Sequence, residues 1–221
     1  MLVSMWMTRT LVTVTPATSI ADAALTMSRA HVRRLLVTEP SARGELLRGI
    51  VSLHDLARAF PPDVNPLSLT ATDRAGTAAG RTVDAVMTTA VRSVAPETPL
   101  EEAARRLLEH KIGAVPVVRD GIVTGIITES DIFKAFLEVT GAAVPGVRVT
   151  FDIAADEDPL AVVVEIAQRH HMRVVSVLSM SAEGKRLAVV RVTGPGAERF
   201  VDDILKSGHR VVSVLHTTPR T

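Results

Sequence analysis

The sequence predicts an α+β protein: a β-α-β-β-α unit present twice, then a smaller β-α-β-β-α-β unit. Three observations predict this. Short motifs recur at a fixed spacing through the first two thirds of the chain, as an internal structural repeat requires. Within each copy the apolar period switches between helix-like and strand-like spacing, with turn residues at the switches. After Gly141 the motifs stop, and a new pattern begins and ends on a strand. The 221 residues are 47% hydrophobic but only 3% aromatic, so the interior must be built from aliphatic side chains.

The repeat is legible residue by residue. Met7-Thr8 returns as Met87-Thr88, an offset of 80, and Val14, Pro16, Thr18 and Ala23-Ala24 match Val94, Pro96, Thr98 and Ala103-Ala104 at that offset. Gly49-Ile50-Val51-Ser52 and Asp55 match Gly125-Ile126-Ile127-Thr128 and Asp131, now at an offset of 76. The first copy therefore carries four more residues, which fall in Glu39 to Gly44 and read as a hairpin loop, where insertions are tolerated.

Each copy opens on a short extended segment, Leu11 to Val14 or Val91 to Val94, and passes through Pro into a helix. In the second copy Thr98-Pro99-Leu100-Glu101 reads as a capping box, and Leu100, Ala103, Ala104, Leu107 and Leu108 follow helical spacing. Two strands follow: Leu35 to Thr38 and Leu47 to Ser52, or Ala114 to Val118 and Ile122 to Thr128 around an Arg119-Asp120-Gly121 turn. A last helix starts at Ser52 or Thr128 and runs to about Phe60 or Phe136. The expected boundaries are 1–60 and 82–140 for the copies, with 61–81, rich in Pro, Ala, Thr, Gly and Asp, as a linker.

The third module, 146–217, reads as strands Val147 to Ile153, Val174 to Met180, Leu187 to Val192 and Val211 to Leu215, with helices Pro159 to Met172 and Pro195 to Ser207. That is the ferredoxin-like order.

Composition excludes several classes of function. There are no cysteines, which removes disulfides, thiolate nucleophiles and Cys-ligated metals. A formal net charge of +1 provides no general field for nucleic acid or an anionic membrane. No apolar run is long enough for a span and the N-terminus has no signal-peptide pattern, so a soluble cytoplasmic protein is expected. His170-His171 cannot both face one ion from a helix, and no known spacing completes a metal site. No nucleophile or phosphate-loop motif of an enzyme is present.

Gly113-Ala114-Val115-Pro116-Val117-Val118 followed by Gly125-Ile126-Ile127-Thr128-Glu129-Ser130-Asp131 resembles the signature of CBS domains, which occur in pairs and form two clefts. The third module resembles an ACT domain, and the whole order is similar to the acetoin-utilisation accessory protein family. The resemblance implies a regulatory module without catalysis or obligatory cofactor. It implies AMP, ADP, ATP or S-adenosylmethionine as ligand, a homodimer, and a regulated partner protein.

Onto these residues the resemblance places one clear site in the second copy. Thr128, at a helix N-terminus, would meet a phosphate. Asp131 would accept from a ribose diol, Gly113 with Ala114 would admit the base, Val115-Pro116 would wall the adenine, and Ser93 or the strand around it would close the other side. The plain alternative is that Thr128 and Asp131 only cap their helix. In the first copy Ser52 and Asp55 are kept, but Arg33 and Leu36 replace the Gly and Pro. His31, Arg33 and Arg34 lie beside that cleft; the resemblance implies that bases at such positions reach phosphates, often across the pair, and Arg33 or Arg34 would do so or form a solvated basic edge. Lys111 is the counterpart of His31. In the third module Glu157-Asp158-Pro159-Leu160 departs from the Asp-x-Pro-Gly turn of amino-acid-binding ACT domains, which favours pairing over ligand binding and makes Asp156 or Asp158 a helix cap. Two readings of the whole chain follow: a nucleotide-sensing regulator, or a dimerising interaction protein without ligand.

Overall fold

The computed structural model describes residues 1–59, 81–154, 156–182 and 184–217. They fall into two units, Met1–Ile132 and Phe133–Thr221. The expected linker lies, but for Arg81, outside the described residues, as does Phe60.

In the first unit the predicted strands form one five-stranded sheet: β1 (Thr13–Val14), β2 (Arg34–Ser41), β3 (Gly44–Ser52), β4 (Ala114–Arg119) and β5 (Ile122–Thr128), in the order β1-β2-β3-β5-β4. Helices α1 (Ile20–Ala30), α2 (Leu53–Ala57), α3 (Leu100–His110) and α4 (Glu129–Val139) complete the two copies, the boundary between the units falling within α4. Asp120 and Gly121 both take positive φ, 52° and 82°, as the tight β4–β5 hairpin requires.

Several expectations need correction. The hairpin expected at Glu39 to Gly44 is present but its turn is only Ala42-Arg43, because Glu39, Pro40 and Ser41 pair with Leu46, Glu45 and Gly44 and lengthen the strands. Pro40 is tolerated because β1 pairs only as far as Leu36 and Val37, leaving that end of β2 free on its other side. The strand expected at Val91 to Val94 reduces to one parallel bridge, Val94 to Val117. Thr98 does not cap α3; its hydroxyl accepts from the Ala95 N–H at 3.0 Å, as Thr18 accepts from Thr15 in the first copy. Pro99 takes the N-cap position without a side-chain acceptor, whereas its counterpart Ser19 caps α1 through Asp22 N–H. Leu108 points to solvent, and Leu100, Ala103 and Leu107 carry the buried face.

The two copies interlock reciprocally, and this sets the site. Thr8, at the start of the first copy, exchanges both backbone hydrogen bonds with Ile126 of the second, at 2.9 and 3.0 Å. Thr88 does the same with Ile50 of the first. Met7 packs on Gly125 and Met87 on Gly49 so closely that a Cβ would lie 2.6 or 2.7 Å from the methionine sulfur. Gly125→Val should therefore overpack this junction and cost about 1–3 kcal/mol. Chemical denaturation that leaves the variant as stable as the wild type would contradict the interlock.

The second unit has β6 (Gly146–Ile153), α5 (Pro159–Arg169), β7 (Arg173–Ala182), β8 (Lys185–Thr193), α6 (Ala197–Lys206) and β9 (Val211–Thr217). The sheet order is β7-β8-β6-β9, antiparallel throughout, so each β-α-β crossover spans one intervening strand. Alternate residues Val147, Val149, Phe151 and Ile153 face a core closed by Val163, Ile166, Phe200 and Ile204 of the two helices. α5 ends at Arg169, not Met172, because His171 turns to φ 52° and returns the chain to β7.

Candidate ligand-binding clefts

The helix starts are the first element of the site. Ser52 and Asp55 form a capping box: the Ser52 N–H and hydroxyl donate to Asp55 Oδ2 at 2.8 and 2.6 Å, and the Asp55 N–H donates back to the hydroxyl at 3.3 Å. Thr128 and Asp131 repeat it at 3.0, 2.7 and 3.3 Å. The two copies thus fold the same corner from the same residues.

Each corner opens on a cleft whose other walls come from the other copy. The first cleft, about 440 Å³, is lined by Thr128, Glu129, Ile126, Gly113 and Ala114 of the second copy. Facing them are Thr8, Thr10, Leu11, Val12, His31, Arg33, Arg34 and Leu36 of the first. The second, about 650 Å³, joins Ser52, Asp55, Ile50 and Arg34 of the first copy to Thr88, Ala90, Val91, Arg92, Glu109, Lys111, Gly113 and Ala114 of the second. Both volumes suit a small organic ligand.

His31 and Lys111 are counterparts in backbone as well as in sequence. Each ends its helix in the left-handed region, at φ 53° and 51°, with its N–H returned to the last turn. A residue other than Gly in that conformation is strained. Here the strain sets a basic group at the mouth of each cleft and at a helix C-terminus, where positive charge is favoured.

The expected residues are therefore regrouped. His31 and Arg33 line the cleft of Thr128, across the copies, and not that of Ser52. Asp55 lines its cleft, but Asp131 is 4% exposed and in this structure serves the Thr128 cap. Val115 and Pro116 are buried within β4 and line neither cleft, where Ala114 alone of that strand reaches both. Ser93 lines neither cleft, and its carbonyl accepts from Arg106 at 3.0 Å. The missing wall is supplied by Thr8 to Val12 and Thr88 to Arg92; of these the strand around Ser93 was expected, through Val91 and Arg92, and the rest was not. Their signal was the repeated Met-Thr pair opposite a repeated Gly. Gly113 does not open space for a base: the Arg34 guanidinium lies on it, and a Cβ there would fall 2.3 Å from Nη2.

A model of the CBS domain matches residues 3–62 and 83–138, more than half of the chain. This chain belongs to the CBS domain family. The CBS domain-containing protein YhcV of Bacillus subtilis is 44% identical over 46 residues, a stretch that is 21% of this chain and 33% of that protein. The chain's match thus spans about a third of the length of that relative. A Vibrio cholerae protein designated an acetoin utilization protein, AcuB, is 32% identical in its crystal structure (TM-score 0.50), covering 66% of this chain and 98% of that one. CBSX2 of Arabidopsis thaliana is 31% identical (TM-score 0.53), covering 63% and 96%. CBSX2 in complex with AMP is 33% identical (TM-score 0.50), covering 62% and 97%. In this CBS protein no helix among the described residues is long and apolar enough to cross a membrane.

In the first unit the hydrogen bonds of Arg106 and Arg105 hold the Glu102 carboxyl below its ordinary value; the other pairs of note lie in the second unit. His209 contacts Glu157 at 2.8 Å and the Ser207 hydroxyl at 2.6 Å, and His170 contacts Asp203 at 2.9 Å. The histidine hydrogen bonds hold both carboxyls below their ordinary values, against a smaller opposing effect of burial. Asp158 is the cap of α5, accepting from Leu160 N–H at 2.9 Å. Among the described residues no three His, Asp or Glu side chains are grouped to hold a metal.

A carboxyl with a lowered folded-state pKa stabilises fully above its unfolded pKa, and loses that contribution as pH falls through the folded one. Glu157→Gln should therefore flatten the acid side of the second unit's stability curve, below the ordinary Glu value of 4.5. Urea midpoints of variant and wild type that fall in parallel on acidification would refute this.

Proposed function

We propose that the chain is a regulatory sensor whose two clefts take a phosphorylated adenosine compound and whose occupancy modulates a partner protein. The observation that carries it is the pairing, in each cleft, of a Ser or Thr helix start with basic side chains, most of them from the opposite copy, that have no ion-pair partner among the described residues. His31, Arg33 and Arg34 serve one cleft, and Arg34, Arg92 and Lys111 the other. Helix N–H groups and guanidinium donors are what a phosphate requires. The complex of CBSX2 with AMP supports the adenosyl class. S-adenosylmethionine has no phosphate for these bases, so AMP, ADP or ATP is preferred. Within the clefts, Leu36, Val12, Ile126 and Val91 offer the apolar contact for the base. We assign no catalytic step to any residue.

In the same reading the second unit is an ACT-like pairing domain. Its Glu157 carboxylate is turned onto the Ala154 N–H and His209, leaving that turn committed to structure. The chain is proposed to be a homodimer. On α4, Phe133, Phe136 and Leu137 are 66%, 61% and 54% exposed on one helical stripe, an apolar surface that solvent disfavours. That stripe also favours the second reading, a dimerising interaction protein without ligand.

Titration calorimetry against AMP, ADP, ATP and S-adenosylmethionine separates the two. Heat from the phosphorylated compounds is expected. Silence with all four leaves only the interaction protein, and a monomer at micromolar concentration in sedimentation would remove the dimer.

A further inference from the structure

This inference rests on the reading of the two clefts as phosphate sites and concerns how they communicate. Arg34 stands where they meet. With Gly113 and Ala114 it lines both clefts, whereas His31 and Arg33 line only the Thr128 cleft, and Arg92 and Lys111 only the Ser52 cleft. The repeat makes Ala114 the counterpart of Arg34, so the common wall has one long basic side chain where symmetry would allow two.

Arg34 is held in place without being neutralised. Its guanidinium lies on Gly113, where a Cβ would be 2.3 Å from Nη2 and 2.8 Å from Cζ. Among the described residues its side chain has no ion pair or hydrogen bond, while Arg48, Arg105, Arg106, Arg119 and Arg169 are each paired with a Glu. The carboxylates facing the clefts are Glu129 on one side and Asp55 and Glu109 on the other. Asp55 is held by its cap and Glu109 by Arg105.

We infer that Arg34 is an anion-binding residue shared by the two clefts, and that it couples them negatively. A guanidinium donates its paired N–H groups to one phosphate at a time. A phosphate in one cleft therefore draws the fork to itself and neutralises it, and a second phosphate meets a weakened donor and a like charge. The penalty is the same whichever cleft fills first, because coupling between binding sites is reciprocal.

The two clefts differ in sequence, so unequal affinities alone prove nothing. The test compares double occupancy with the two single occupancies. Leu11→Trp fills only the Thr128 cleft and Val91→Trp only the Ser52 cleft, so AMP calorimetry on each variant gives one intrinsic association constant. In the wild-type chain the product of the two stepwise constants should fall about tenfold below the product of the intrinsic ones, a typical size of coupling. With Arg34→Met introduced into all three backgrounds, that deficit should vanish and each single-cleft affinity should drop. A wild-type product equal to the intrinsic product overturns the inference, as does a deficit that survives Arg34→Met. If AMP gives no heat in any form, the nucleotide reading fails by itself. Inorganic pyrophosphate then decides the role of Arg34: thermal stabilisation lost in Arg34→Met upholds it as an anion residue, and no stabilisation, or equal stabilisation, removes it.

Discussion

AMP at a free concentration one hundred times its dissociation constant is expected to stabilise the chain by about 2.7 kcal/mol for each occupied cleft, because the ligand binds only the folded state. For a chain of this length that corresponds to a rise in Tm of roughly 5–10 °C. The clefts act through Ser52 and Thr128, so Ser52→Ala and Thr128→Val should each remove the part of the rise that belongs to one cleft, and together most of it. Each substitution also breaks a capping box and costs about 1 kcal/mol without ligand. The quantity to compare is therefore the shift between AMP-free and AMP-saturated samples of the same variant. A double variant that keeps the wild-type shift would show that the ligand binds elsewhere.

The second large effect is in the other unit. Phe151→Ala should destabilise it by about 3–5 kcal/mol, the usual cost of emptying a buried aromatic site. Phe151 is fully buried on the central strand β6, and its ring meets the edge of His209 at 5.3 Å and 75°. The cavity would open beneath both helices. The core around Phe151 shares no residue with the core around Val37 and Leu56 in the first unit. The expected result is two thermal transitions, an early one for residues 133–221 and a later one that still moves with AMP. Loss of the AMP response in Phe151→Ala would mean that the clefts depend on the second unit's fold.

How much of this was legible depended on whether the signal was local. The Ser52/Asp55 and Thr128/Asp131 corners need only a hydroxyl, a carboxylate and a spacing of three, and they formed as the residues dictate. The Asp120-Gly121 turn and Asp158 cap are of the same kind. Some misreadings were local, as at Thr98 and His171, but those at the clefts arose where a neighbour distant in sequence decided the outcome. Gly113 was read as room for a base, but Arg34, 79 positions earlier, occupies that room. Val115 and Pro116 are apolar residues beside a cleft motif, yet only Ala114 of their strand lines the clefts.

The sequence alone determined the order of elements, the repeat and the chemistry of the Ser52 and Thr128 helix starts, because periodicity, caps and turns are properties of neighbouring residues. Only the tertiary structure decided which basic turn faces which hydroxyl. That follows from the backbone exchange of Thr8 with Ile126 and of Thr88 with Ile50, which crosses the copies and builds each cleft from both. Hydrogen bonds between segments so far apart leave no periodic mark in a single chain.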